Sequence, residues 1–100
     1  MALTASNMLA DTKLALRITT NAFDSEITDL LNAAMMDLGV AGVEVGDGDA
    51  LVKTACITYV RVHFGTPDDY DRLKRSYDEQ KAQLSMNTGH TVWGLAHGQE

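Results

Sequence analysis

The sequence predicts an all-α fold, a small bundle of about four helices with a glycine-rich loop and an extended C-terminal tail. Two observations lead there. Apolar residues recur at three- and four-residue spacing in successive segments, and glycine, proline and Asx residues punctuate the intervals between them. Size and composition agree. One hundred residues suit a single domain, and 45% hydrophobic with 22% charged residues is an ordinary globular balance. The division expected is a helical domain over residues 1–88 and a tail over 89–100.

The first helix is read over Met8 to Ile18. Leu9 and Leu16 lie seven apart and Ala10 and Leu14 four apart, with Ser6 or Asn7 placed to cap the start. The second runs from Asp24 to Leu38. Asn21 or Asp24 caps it, Glu26 favours its positive end, and Ile27, Leu30, Leu31, Ala34 and Leu38 form one face. Gly39 is placed to end it in a left-handed conformation. Residues Gly39 to Asp49 then hold four of the eight glycines and read as a loop, although Val40, Val43 and Val45 allow a short extended piece. Asp47 or Asp49 is placed to cap the third helix.

From Ala50 to Phe64 the polar residues Thr54, Thr58 and Arg61 make one narrow stripe. Leu51, Val52, Ala55, Cys56, Tyr59, Val62 and His63 fill much of the remaining circumference. Such a helix must be enclosed by others, so this one is expected at the centre. The fourth helix starts with Thr66 as cap, Pro67 at the first helical position and Asp68 and Asp69 in the first turn. Tyr70, Leu73, Tyr77 and Leu84 supply a thin apolar seam, and Asp71–Arg75, Lys74–Asp78 and Arg75–Glu79 pair at four-residue spacing. The helix fades near Met86. The stretch from Asn87 to Glu100 has no helical period, yet it carries the sole tryptophan, Trp93, flanked by Val92 and Leu95.

Composition narrows the function. Eight Lys and Arg stand against fourteen Asp and Glu, a net charge of −6, which is the wrong sign for gripping phosphate backbones. One cysteine rules out an intrachain disulfide framework and a four-cysteine zinc site. No apolar run approaches the ~18 residues that span a bilayer, and no signal-peptide pattern is seen at the start. The composition is that expected of a soluble, intracellular protein.

No catalytic constellation stands out. Cys56 and His63 share a helix face, but seven residues of helix separate them by ~10.5 Å, whereas a nucleophile and its base need about 3 Å. Cys56 reads as a small buried hydrophobe and His63 as a packed residue at the core edge. Helix-start electrostatics account for Asp68 and Asp69, and Arg75 for Asp71, without a metal. Asp47-Gly48-Asp49 lacks the later oxygen ligands of a calcium loop, and no phosphate-binding glycine loop is present. His90 and His97 lie in the tail and read as composition. Met35 and Met36 read as core filling, with an adaptable subunit contact as the alternative. No enzymatic activity, cofactor or metal is expected.

The order and wording of the segments resemble a known family. Lys13-Leu14-Ala15-Leu16-Arg17-Ile18, then Glu26 to Ala34, then Ala55 to Arg61, then Asp69-Tyr70-Asp71-Arg72-Leu73-Lys74-Arg75-Ser76-Tyr77-Asp78-Glu79-Gln80-Lys81 and the tail Thr88-Gly89-His90-Thr91-Val92-Trp93 are similar to tailed-phage head–tail connectors. The resemblance spans about Leu9 to Trp93. The Gly39–Gly48 loop and the residues after Gly94 have no counterpart in it. It implies a non-enzymatic helical adaptor of the phage or prophage virion, made in the bacterial host cytoplasm and bound beneath the portal protein. There it forms the platform for a tail-proximal connector or stopper, with DNA passing through its channel. Members assemble as rings, commonly of about twelve copies, the closed form of a head-to-tail interface. No cofactor or catalytic residue comes with the family.

Residue chemistry adds candidate ring contacts, since interfaces favour aromatic anchors: Tyr70, Tyr77, Val92 and Trp93. The alternative from another class is a small acidic helical regulator that sequesters a basic partner, and it leaves the Tyr70–Trp93 block unexplained. With so little counterion release available, the protein should show no measurable duplex-DNA binding in a salt titration. Micromolar binding at physiological salt that weakens steeply as salt rises would contradict this.

Overall fold

A computed structural model of the chain describes residues 3–45, 50–65 and 67–86. They form four helices, α1 (Ala5–Leu16), α2 (Asp24–Val40), α3 (Ala50–His63) and α4 (Tyr70–Met86), with no sheet among them. No described helix is long and apolar enough to cross a membrane. The boundary between helical domain and tail, the Thr66 cap, the Asp47 and Asp49 cap, and Val92 and Trp93 all lie outside the described residues.

α3 is the central element. Val52, Ala55, Cys56 and Val60 are fully buried, and Thr58 and Val62 nearly so, while Tyr59 packs half-buried against the core. Thr58 departs from the expected polar stripe. Its hydroxyl donates to the Thr54 carbonyl at 3.0 Å, which satisfies the one polar atom and lets its methyl pack inward. Leu51, read as part of the apolar circumference, is instead exposed. α1 and α2 pack as an antiparallel pair against α3, and α4 packs along it. Phe23 at the start of α2 meets Phe64 at the end of α3, ring centroids 5.5 Å apart in an edge-on contact, so α2 runs antiparallel to α3. Tyr59 against Tyr77 at 5.3 Å, with Val62 near Tyr70, makes α4 antiparallel to α3 as well. The ends Val40, Leu51 and Met86 therefore lie toward one end of the bundle.

The inner face of α1 differs from the one expected. Ala5, Met8 and Thr12 are buried, Leu9 and Leu16 flank them, and Leu14 stands 77% exposed. Thr12 occupies a core position because its hydroxyl donates to the Met8 carbonyl at 2.7 Å, which explains why the apolar period looks ragged in the sequence. The cap is Thr4 rather than Ser6 or Asn7. Its hydroxyl accepts the Asn7 amide at 3.1 Å and the Asn7 side chain accepts the Thr4 amide at 2.9 Å, a reciprocal box.

α2 begins at Asp24 as expected, but the residue before it, Phe23, makes no side-chain cap. Its negative end charges, Asp24 and Glu26, act instead through the helix dipole. The helix also continues through Gly39 to Val40. The left-handed residue is Gly42, with φ +93°, and two bonds close the end, Val43 to the Leu38 carbonyl and Gly42 to the Gly39 carbonyl, each 3.0 Å. This motif places Val43 directly over Leu38, and both are buried. α4 starts three residues later than expected, at Tyr70. Pro67 lies before the helix, and the Asp69 carbonyl takes the Leu73 amide at 3.0 Å.

The same closing pattern ends α1, with Ile18 bonded to the Lys13 carbonyl at 2.9 Å and Arg17 to the Leu14 carbonyl at 3.1 Å. Here the left-handed position, φ 60°, is held by an exposed arginine, a conformation in which a β-carbon is strained. Arg17→Gly relieves that strain and loses part of the gain to a freer unfolded chain. Chemical unfolding should therefore show the variant more stable by about 0.5–1 kcal/mol. A loss of stability would mean that the arginine side chain holds the turn.

Candidate assembly surface

Two groups of polar and aromatic residues fall on the flanks of α3. The first links α2 to α4. The Tyr77 ring is buried, and its hydroxyl donates to Asp37 Oδ2 at 2.5 Å. Lys81 Nζ donates to the same oxygen at 3.1 Å and sits 5.5 Å from the Tyr77 ring centroid. The Tyr77 bond, followed by the Lys81 contact, holds the Asp37 carboxyl below its usual range, against partial burial. Burial and the same bond push the Tyr77 hydroxyl upward. Asp37 was invisible to sequence reasoning, since nothing in the spacing of α2 and α4 pairs residues forty positions apart.

The second group is the corner where α3 turns into α4. Val62, His63, Gly65, Pro67 and Tyr70 line an open cleft of about 400 Å³. Gly65 adopts φ +67°, which turns the chain here, and Pro67 stiffens the approach to α4. His63 is exposed, its ring 4.2 Å from that of Tyr59, and Tyr70 is 45% exposed. The cleft is thus lined by both aliphatic and aromatic side chains. On the outer face of α2, Met36 at 72% and Val40 at 89% exposure lie one turn apart, so Met36 is not the core filler read from sequence. Met35 does pack on the core.

Of the candidate contact residues, Tyr70 is therefore at the surface and Tyr77 is turned into its own subunit. A tyrosine on an apolar stripe looks the same in sequence whether its hydroxyl meets solvent, a partner or a buried carboxylate.

Cys56 is fully buried, and burial pushes its thiol up to about 12. It has no part in a site with the exposed His63. Asp69 accepts from Arg72, which lowers its carboxyl, and Lys74 closes on Asp78 at 2.7 Å. Neither Asp71–Arg75 nor Arg75–Glu79 closes into an ion pair among the described residues. No cluster of His, Cys, Asp and Glu among the described residues is arranged to hold a metal. His90, His97 and the Asp47-Gly48-Asp49 segment lie outside them.

Such a molecule is a small all-α bundle, pinned internally by tertiary side-chain pairs and presenting apolar and aromatic side chains outward. The chain matches the family model described as phage connector protein over residues 8–91, and it belongs to that family. Its role is structural and of the phage-connector type. Comparison with curated proteins gives no match, and comparison with solved structures gives none either.

The α2–α4 link has a pH signature. A depressed Asp37 contributes stability that is present above the ordinary carboxyl pKa of 3.8 and is lost as pH falls through its lower folded value. A raised Tyr77 contributes stability that is present below 10.0 and is lost as pH rises beyond it. Tyr77→Phe should cost about 1 kcal/mol at neutral pH, below the roughly 1.5–3 kcal/mol of a bond to a buried charged group because Asp37 is partly exposed. Urea unfolding of both proteins across pH should show the gap narrowing below pH 4 and above pH 10. A gap constant across pH would place the cost in packing alone.

Proposed function

We propose that this subunit assembles as a ring, of the size common in the family, beneath the portal protein of a phage or prophage head. The ring links the DNA-filled head to the next tail-proximal component, and the genome passes through its channel. The work is adhesion and support, with no catalytic step. The subunit functions in the virion and is assembled in the host cytoplasm.

Membership of the connector family over residues 8–91, a segment that runs into all four helices, is the observation that carries this reading. Charge placement supports it. Lys13 pairs with Asp24 at 2.8 Å, Lys53 with Asp11, Arg72 with Asp69, Lys74 with Asp78 and Lys81 with Asp37. Among the described residues, at least five basic side chains are thereby matched by acidic ones, and the acidic excess of the chain, a net charge of −6, favours a negative outward field. A conduit for DNA benefits from a wall that repels phosphate and does not hold it. The exposed Met36, Val40 and Tyr70 give copies and partners apolar surface to cover.

The test is attachment to DNA-filled heads. The purified chain should co-sediment with heads that carry a portal and not with portal-less shells, and bound particles should show an added ring by electron microscopy. Equal recovery with both kinds of shell, or with neither, would refute the connector role.

A further inference from the structure

The reach of the chain and the cleft at the α3–α4 corner together point to a specific contact between copies, one that rests on the ring reading above. We propose that the cleft lined by Val62, His63, Pro67 and Tyr70 receives Trp93 of a second copy.

The cleft suits an indole. Val62 lines it with an aliphatic side chain, and Tyr70 and Pro67 supply rings against which an indole can stack. The His63 ring stands at the rim, exposed, with a nitrogen able to accept the indole N–H. Tyr70 is the exposed aromatic of α4 and the natural anchor at such a contact, whereas Tyr77 is occupied by Asp37.

Distance assigns the tryptophan to another copy. The cleft adjoins Tyr70, the first residue of α4, and the chain leaves the helix at Met86, its seventeenth. At 1.5 Å per residue these points lie about 24 Å apart. Trp93 is seven residues beyond Met86, a reach of about 23–25 Å if every residue is straight. To return along its own helix the chain must first reverse, and a turn consumes about three residues for little net travel. The remaining four cover roughly 14 Å, some 10 Å short of the cleft. A neighbouring copy has no such constraint, because its tail leaves one end of a bundle while the cleft opens at the other, the head-to-tail relation that closes rings.

Trp93 is the sole tryptophan, so its fluorescence reports the contact directly. As protein concentration rises, emission should move to shorter wavelength in step with self-association measured by sedimentation. Tyr70→Ala and His63→Ala, both at exposed positions, should keep the helical circular dichroism signal. Tyr70→Ala should weaken association at least about tenfold, as loss of an aromatic anchor does. The decisive arm mixes two variants. Tyr70→Ala copies carry the tryptophan but a damaged cleft, and Trp93→Ala copies carry an intact cleft and no tryptophan. Adding the second in excess should restore the short-wavelength emission of the first. Emission that is independent of concentration, or no restoration on mixing, overturns the proposal. Head attachment of the unaltered chain is scored separately. Binding to heads with emission insensitive to Tyr70→Ala defeats the docking contact alone, whereas restored emission without head binding defeats the connector reading alone.

Discussion

The structure depends on the need to enclose α3. α3 buries Val52, Ala55, Cys56 and Val60 on one face and Thr58 and Val62 beside it, a band of more than half its circumference that no single neighbour covers. α1, α2 and α4 together supply the cover. α1 and α2 fold together as a hairpin whose turn is pinned where Lys13 reaches both Asn21, at 2.9 Å, and Asp24. α4 closes the remaining side. Since α4 is strongly polar apart from Leu73, Tyr77 and Leu84, its grip is one narrow seam strengthened by a hydroxyl reaching across to Asp37.

That division of labour leaves the outer surfaces of α2 and α4 free of structural duty. The exposed Met36 and Val40 contribute nothing to the subunit's own core, and neither does the half-exposed Tyr70. In a chain of phage-connector type, such residues are positions where surface contacts and folding are separable. The fold does not depend on these side chains, whereas it does depend on those along α3.

The helices were legible in the sequence because periodicity records burial, and burial is what forms them. The ends were less legible. Gly39 and Gly42 are equally good left-handed residues in isolation, and the choice falls to Gly42 because only that register sets Val43 on Leu38. Thr12 and Thr58 hid core positions behind polar names, each neutralising its hydroxyl on a carbonyl one turn back. Of the proposed contact residues, the sequence could rank Tyr70 and Tyr77 only equally. A carboxylate forty residues away separates them, and no local pattern encodes that. The family resemblance, by contrast, rested on runs of similar wording and extended through every helix, which is why it was readable when individual sites were not.

Cys56 has one further consequence. A thiol at the middle of the central helix, fully enclosed and held as the neutral form, is chemically silent while the bundle is closed. Its position in the middle of α3 and its full burial mean that local opening of the bundle must precede any reaction there. The rate at which the native subunit is alkylated is therefore a clock for that opening. The chain thus carries a built-in gauge of how often its bundle opens.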